Sequence, residues 1–164
     1  MNDTMNDNRI YLFDTTLRDG AQTQGVDFNP ADKALIAREL NDVGIDYIEG
    51  GWPGANPTDD AFFADPPPMT RSKLTAFGMT RRPGRSADND PGLTAILGTK
   101  ADCVCMVGKA WDFHVDVALE IDLEENIQMV ADSVKHAATK VSEVMFDAEH
   151  FFDGYKANPE FALG

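Results

Sequence analysis

Basic residues are scarce in this chain: 14 Lys and Arg stand against 28 Asp and Glu, a net charge of −14. Nucleic acid and anionic membrane surfaces both require a basic footprint, so neither is expected as a partner. Anionic small molecules stay admissible, because a local positive site can sit within a negative surface. Long apolar runs are also missing. No stretch approaches the roughly 20 residues that span a bilayer. Residues 1–8 are polar and acidic and lack the basic start and apolar segment of a secretory signal. They read as a disordered tail, and a cytoplasmic protein is expected. Cysteine is limited to Cys103 and Cys105, which alternate within one apolar run. On a strand they would share a face with parallel side chains, poorly placed to bridge. Buried thiols in a reducing compartment are the expectation.

What is present points to a single soluble domain, with 43% hydrophobic residues over 164 positions. Five strand-length runs are near-continuously apolar: 10–14, 45–50, 73–79, 102–107 and 143–148. Strands covered on both faces, as in parallel sheets, read this way. Helix start signals lie between the runs. Asn29-Pro30, Asn56-Pro57 and Asn158-Pro159 each place a capping side chain before a proline suited to the first helical position, and Asp90-Pro91 is a variant. Ile36, Leu40 and Val43 follow at helical spacing, and Gly44 closes the first helix. Asp122 with Glu125 is expected to form a capping box. That helix carries Leu123, Ile127, Val130, Val134, Ala137 and Val141 as one apolar stripe.

Strand–helix units of roughly 30 residues mean parallel strands with right-handed crossovers. Two α/β architectures fit: a complete five-stranded doubly wound sheet, or the first five units of a (β/α)₈ TIM barrel. The fifth helix has barely begun at Gly164, whereas a finished doubly wound domain would keep it. This favours a truncated barrel, with residues 9–164 as the N-terminal portion of a catalytic domain.

In such folds the active site gathers at the C-terminal ends of the strands. Here those ends carry Asp14 to Gln22, Glu49 to Gly54, Gly78 to Arg81, Gly108-Lys109 with Asp112 and His114 beyond, and Asp147 to His150. Each is dense in charged groups, imidazole or glycine, and the opposite ends are not. The asymmetry argues for an enzyme. Arg18 and Asp19 could simply pair with each other. They could instead divide two tasks, with the carboxylate on a hard divalent cation and the guanidinium on a developing oxyanion. An aspartyl-phosphate nucleophile at Asp14 is disfavoured, because such motifs need a second acid two residues on, where Thr16 stands.

The segment from Phe13 to Gln22 resembles the opening motif of the DRE-TIM metallolyase superfamily. That group includes 2-isopropylmalate, homocitrate and citramalate synthases and 3-hydroxy-3-methylglutaryl-CoA lyase. The synthase signature, Leu-Arg-Asp-Gly-x-Gln, ten residues, then Lys, is matched by Leu17 to Gln22 and Lys33. Gly50 to Pro57, Gly108 to His114 and Asp147 to Tyr155 are similar to the citramalate synthase branch.

The resemblance implies an acyltransferase that condenses acetyl-CoA with pyruvate to give citramalate and CoA, on the route to isoleucine. A 2-isopropylmalate or homocitrate synthase acting on another 2-oxo acid is the alternative. A flavodoxin-like or receiver-like binding module is the rival from a different class. The resemblance implies a divalent metal (Mg, Mn or Zn) with Asp19 as a ligand, completed by a His-x-His pair expected beyond Gly164. It further implies Arg18 and Glu149 as catalytic residues, and Gln22, Asp147, His114 and Tyr155 as substrate contacts. Glu49 would support the site or only anchor its strand. His136 would be structural, and His150 has no assigned role. The full-length enzyme is expected to be a homodimer, and the fragment to be inactive by itself.

Overall fold

The computed structural model describes residues 9–164, so the tail expected at residues 1–8 lies outside the described residues. The strands are β1 (Phe13–Asp14), β2 (Tyr47–Gly51), β3 (Lys73–Met79), β4 (Cys103–Lys109) and β5 (Glu143–Glu149). The helices are α1 (Pro30–Val43), α2 (Pro57–Ala64), α3 (Pro91–Leu97), the short α4 (Asp112–His114), α5 (Leu123–Ala137), α6 (Phe151–Ala157) and α7 (Pro159–Leu163). All strand pairings are parallel, in the order β1-β2-β3-β4-β5. A doubly wound sheet reverses direction at a switch point, whereas a barrel adds its strands in sequence. The sequential order therefore overturns the flavodoxin-like and receiver-like alternatives.

The sheet is curled. Tyr47 on β2 donates its hydroxyl to Oε1 of Glu143 on β5 at 2.7 Å. In a flat sheet those strands would lie about 14 Å apart, three spacings of about 4.8 Å, which is beyond the combined reach of the two side chains. The bond closes only across a concave face.

The convex face carries the core. Ile48, Leu74, Ala76, Val104 and Met106 pack against Phe62 and Phe63 of α2 and Leu93 and Ile96 of α3. Side-chain caps set the helix starts. Asn29 accepts from the amides of Ala31 and Asp32 while Asp32 returns a bond to the Asn29 amide, and Gly44 ends α1 at φ 96°. Asn56, Asp90 and Asn158 cap α2, α3 and α7 through the amides of Asp59, Leu93 and Phe161.

Three local expectations are corrected. The run 10–14 yields only Phe13–Asp14 as strand, since only these two residues pair in register with β2. Ile10 stays 84% exposed. The capping box at Asp122 does not form, and Asp122 makes no side-chain cap bond. Glu125 instead accepts from Nη1 of Arg81 at 2.8 Å, since a guanidinium that is 5% exposed needs a counter-charge more than a helix end does. The buried face of α5 is Asn126, Met129, Ser133 and Ala137. Of the apolar stripe expected there, Ala137 lies in the core and Val134 and Val141 pack against it, whereas Leu123 is exposed and Ile127 and Val130 are only half-buried. Ile127, Val130 and Val134 line a groove of about 410 Å³ with Phe146, Phe161 and Ala162. No helix among the described residues is long and apolar enough to cross a membrane.

Candidate active site

The parallel register aligns one set of side chains on the concave face. From the N-terminal end upward, Thr75, Cys103 and Glu143 share a row, then Phe77, Cys105 and Met145, then Met79, Val107 and Asp147, and finally Lys109 and Glu149. Strand alternation places these on the face opposite the helix-packed core.

Arg18 reaches this face from the turn after β1, where the amides of Arg18 and Gly20 both donate to the Thr15 carbonyl. Its Nε donates to Oε2 of Glu49 at 2.7 Å. Its guanidinium lies over the Phe77 ring at 4.0 Å, and Trp52 meets Phe77 edge-on at 5.4 Å. The bond to neighbouring Asp19 is long, 3.3 Å from Nη1. Glu49, not Asp19, is therefore the main partner of Arg18, and the Asp19 carboxylate stays 63% exposed. Glu49 itself is 1% exposed. Burial pushes its carboxyl above the usual range, Arg18 opposes that shift, and the charges of Asp147 and Asp19 add to it. Glu49 thus feels carboxylates from β5 and from the turn after β1, so these groups share one electrostatic environment.

Glu149 closes β5, and its Oε2 accepts the ammonium of Lys109 from β4. Asp147 is exposed on the same face one row below. Gln22 lies in the 3-10 turn Gly20–Gln22 and lines a cleft of about 300 Å³ with Arg18, Asp27, Lys33 and Trp52. His114 ends α4, tilted against Trp111 at 4.7 Å and edge-on to His150 at 4.6 Å, and its buried Nδ1 has no hydrogen-bond partner among the described residues. Tyr155 sits on α6, stacked on Phe151 and 46% exposed. The structure therefore joins Arg18 to Glu49 and Glu149 to Lys109 as two ion pairs, and no hydrogen bond links the pairs among the described residues. His136 belongs to α5, away from the concave rows.

The signature lysine has a different task. Lys33 is buried, pairs with buried Asp59 of α2 and donates to the Gly50 carbonyl at 3.0 Å. Asp59 also accepts from the Trp52 amide at 2.8 Å and from Asn56 Nδ2 at 2.9 Å. This network shapes the loop after β2 beside Arg18. Asp59, Phe77 and the pairing role of Glu49 were not drawn from the sequence. One signal existed for Glu49: a carboxylate inside an apolar strand must find a cation or remain neutral.

A metal would find one suitable ligand here. The exposed Asp19 carboxylate is only weakly engaged, so it is free to coordinate, but no group of three or more His, Cys, Asp or Glu residues able to hold an ion occurs among the described residues. Asp19 fits a metal as a single contributor and not as a complete site.

The HMGL-like family model matches residues 9–162. The (R)-citramalate synthase of Aquifex aeolicus (strain VF5) is 51% identical over 157 residues, covering 94% of this chain and 30% of that protein. The (R)-citramalate synthase of Geobacter sulfurreducens is 49% identical over 156 residues, covering 94% and 30%. A 2-isopropylmalate synthase of Solidesulfovibrio magneticus is 32% identical, covering 96% of this chain and 29% of that protein. The chain thus spans about 30% of the length of the curated relatives it matches. Among solved structures, hydroxymethylglutaryl-CoA lyase from Pseudomonas aeruginosa superposes with a TM-score of 0.65 at 18% identity, covering 84% of this chain and 45% of that one. That likeness concerns the fold, and it agrees with the curled sequential sheet. The five βα units, with their polar groups gathered at one end, belong to a protein of the HMGL-like family.

Proposed function

We propose that this chain is part of a citramalate synthase, which joins the methyl carbon of acetyl-CoA to the keto carbon of pyruvate and releases CoA by hydrolysis of the thioester. The observation that supports the reading is the Arg18 guanidinium, fixed by Glu49 and Phe77 with the Asp19 carboxylate exposed at its side. A cation held rigidly at the strand ends is suited to an oxygen that gains negative charge as the new C–C bond forms. Its second terminal nitrogen has no protein partner among the described residues and is available to substrate. A divalent metal bound partly by Asp19 would polarise the keto group. Glu149 would accept a hydrogen bond within the site through Oε1, the oxygen that Lys109 leaves free. Gln22, Asp147, His114 and Tyr155 are proposed as contacts around the 2-oxo acid, and a cytoplasmic location accompanies the reading.

The similarity to citramalate synthases near 50% identity, against 32% for the isopropylmalate synthase, favours pyruvate over branched 2-oxo acids. CoA release should be followed in the full-length protein with acetyl-CoA and a panel of pyruvate, 2-oxoisovalerate and 2-oxoglutarate. Pyruvate should give the highest kcat/KM. A preference for 2-oxoisovalerate would replace this reading with isopropylmalate synthesis.

A further inference from the structure

The C-terminal end of the β4–β5 ladder carries an ion pair that the proposed chemistry does not require. Lys109 and Glu149 are register partners on adjacent parallel strands, so both side chains project from the concave face. The Lys109 ammonium donates to Oε2 of Glu149. The Lys109 side chain is 16% exposed, so its charge is poorly served by water and depends on this carboxylate.

Both backbones are pinned. Asn126, a buried side chain of α5, donates from Nδ2 to the Lys109 carbonyl at 2.9 Å. The amide of Ala110 donates to the Glu149 carbonyl at 3.3 Å. His150 then turns the chain into α6 in the left-handed region, at φ 55° and ψ 32°, which ends β5 at Glu149. Neither residue can slide along its strand without breaking one of these contacts. The carboxylate is therefore held sideways, with Oε2 occupied and Oε1 without a hydrogen-bond partner among the described residues.

We infer that Lys109 is a positioning residue: it fixes the Glu149 carboxylate so that Oε1 faces the mouth of the sheet. The inference rests on the reading of Glu149 as a residue that meets substrate. A compact ammonium suits this role, because it engages one oxygen, whereas a bidentate guanidinium would occupy both.

Two measurements test this. The first needs no activity. The side-chain ammonium of Lys109, assigned by its disappearance in Lys109→Arg, should give a protected ¹⁵N–¹H NMR signal in the purified protein. That signal should vanish in Glu149→Gln, and an unchanged signal there would overturn the pairing. The second is a double-mutant cycle on CoA release by the full-length protein. Lys109→Met should lower kcat roughly 10- to 100-fold, the scale of coupling between contacting charged groups. KM for pyruvate should move by less than about threefold. In a Glu149→Gln background the same change should have little further effect. Losses that multiply independently would sink the inference. Lys109→Arg should recover only part of kcat. If the wild-type full-length protein releases no CoA with any 2-oxo acid, the proposed function fails, and the NMR result alone decides the position of Glu149.

Discussion

Glu49 accepts the Nε–H of Arg18 at 2.7 Å while the same guanidinium rests on the Phe77 ring at 4.0 Å. The pair bridges the turn after β1 to the interior of the sheet. It leaves Glu49 dependent on one cation, because burial already works against its charge. A carboxyl whose folded value is raised binds its proton more tightly in the folded state. Its contribution is present below the ordinary carboxylate range and is lost as pH rises through the raised value. Arg18→Met removes the main opposing charge, so that loss should deepen. The variant should be destabilised by about 3 kcal/mol at neutral pH and recover part of this at about pH 5. The Arg18→Met/Glu49→Gln pair should be restored at both values. Urea denaturation at the two pH values checks this, and an equal deficit at both would remove Glu49 as the cause.

Lys33→Met should cost about 3–5 kcal/mol, since it leaves Asp59 buried without its cation. The effect should be local as well as global. The Trp52 amide, which donates to Asp59 at 2.8 Å, should exchange its proton faster than amides of β3. Hydrogen exchange read by NMR would show it, and uniform acceleration across the sheet would contradict a local role.

At the N-terminal end of the concave face, Glu143 is held below the usual carboxylate range by the hydrogen bond from Lys73 and then by that from Tyr47. A carboxyl lowered in the fold contributes stability above its unfolded value, and that contribution is lost as pH falls through the folded one. Glu143→Gln should therefore flatten the acid limb of the stability profile. The loss at neutral pH should not exceed about 1 kcal/mol, because Lys73 and Glu143 are partly exposed. Thermal melts between about pH 3 and 7 would test it.

Gly154 lets α6 lie directly on the loop after β4. A Cβ at that position would meet the Ala110 carbonyl oxygen at 2.2 Å. Gly154→Ala must push backbone against backbone, and a loss of about 1–3 kcal/mol is expected. Limited proteolysis should cut the variant within residues 150–164 before the rest of the chain. Unchanged protection would show that α6 yields without strain.

Burial pushes the Cys103 thiol up to about 11 and the Cys105 thiol up to about 12. Neither should react with a thiol reagent at about pH 8 until the protein unfolds. Labelling followed by mass spectrometry should give no adduct in the folded state and two after denaturation.

The capped helix starts, most strand positions and the parallel class were legible in the sequence because they depend on local chemistry. Asn29, Asn56 and Asn158 cap the helices they precede through bonds that span only a few residues. Continuous apolar runs mark strands covered on both faces. The enzyme-like asymmetry was legible too, since each strand end lies next to its strand in the chain. Which charge meets which was decided by tertiary structure. Arg18 sits beside Asp19 in sequence, yet it pairs chiefly with Glu49, 31 residues away. Glu125 has the spacing of a capping box with Asp122, yet it neutralises Arg81 from across the fold. The apolar stripe of α5 predicted its periodicity and the burial of Ala137, but not that Asn126 and Ser133 share the buried face, where they bond to the Lys109 carbonyl and the Arg81 amide. Local bonds form within a few residues whatever the fold becomes. A buried charge must find its partner wherever the chain brings one within reach, and only the curled sheet determines which residues those are.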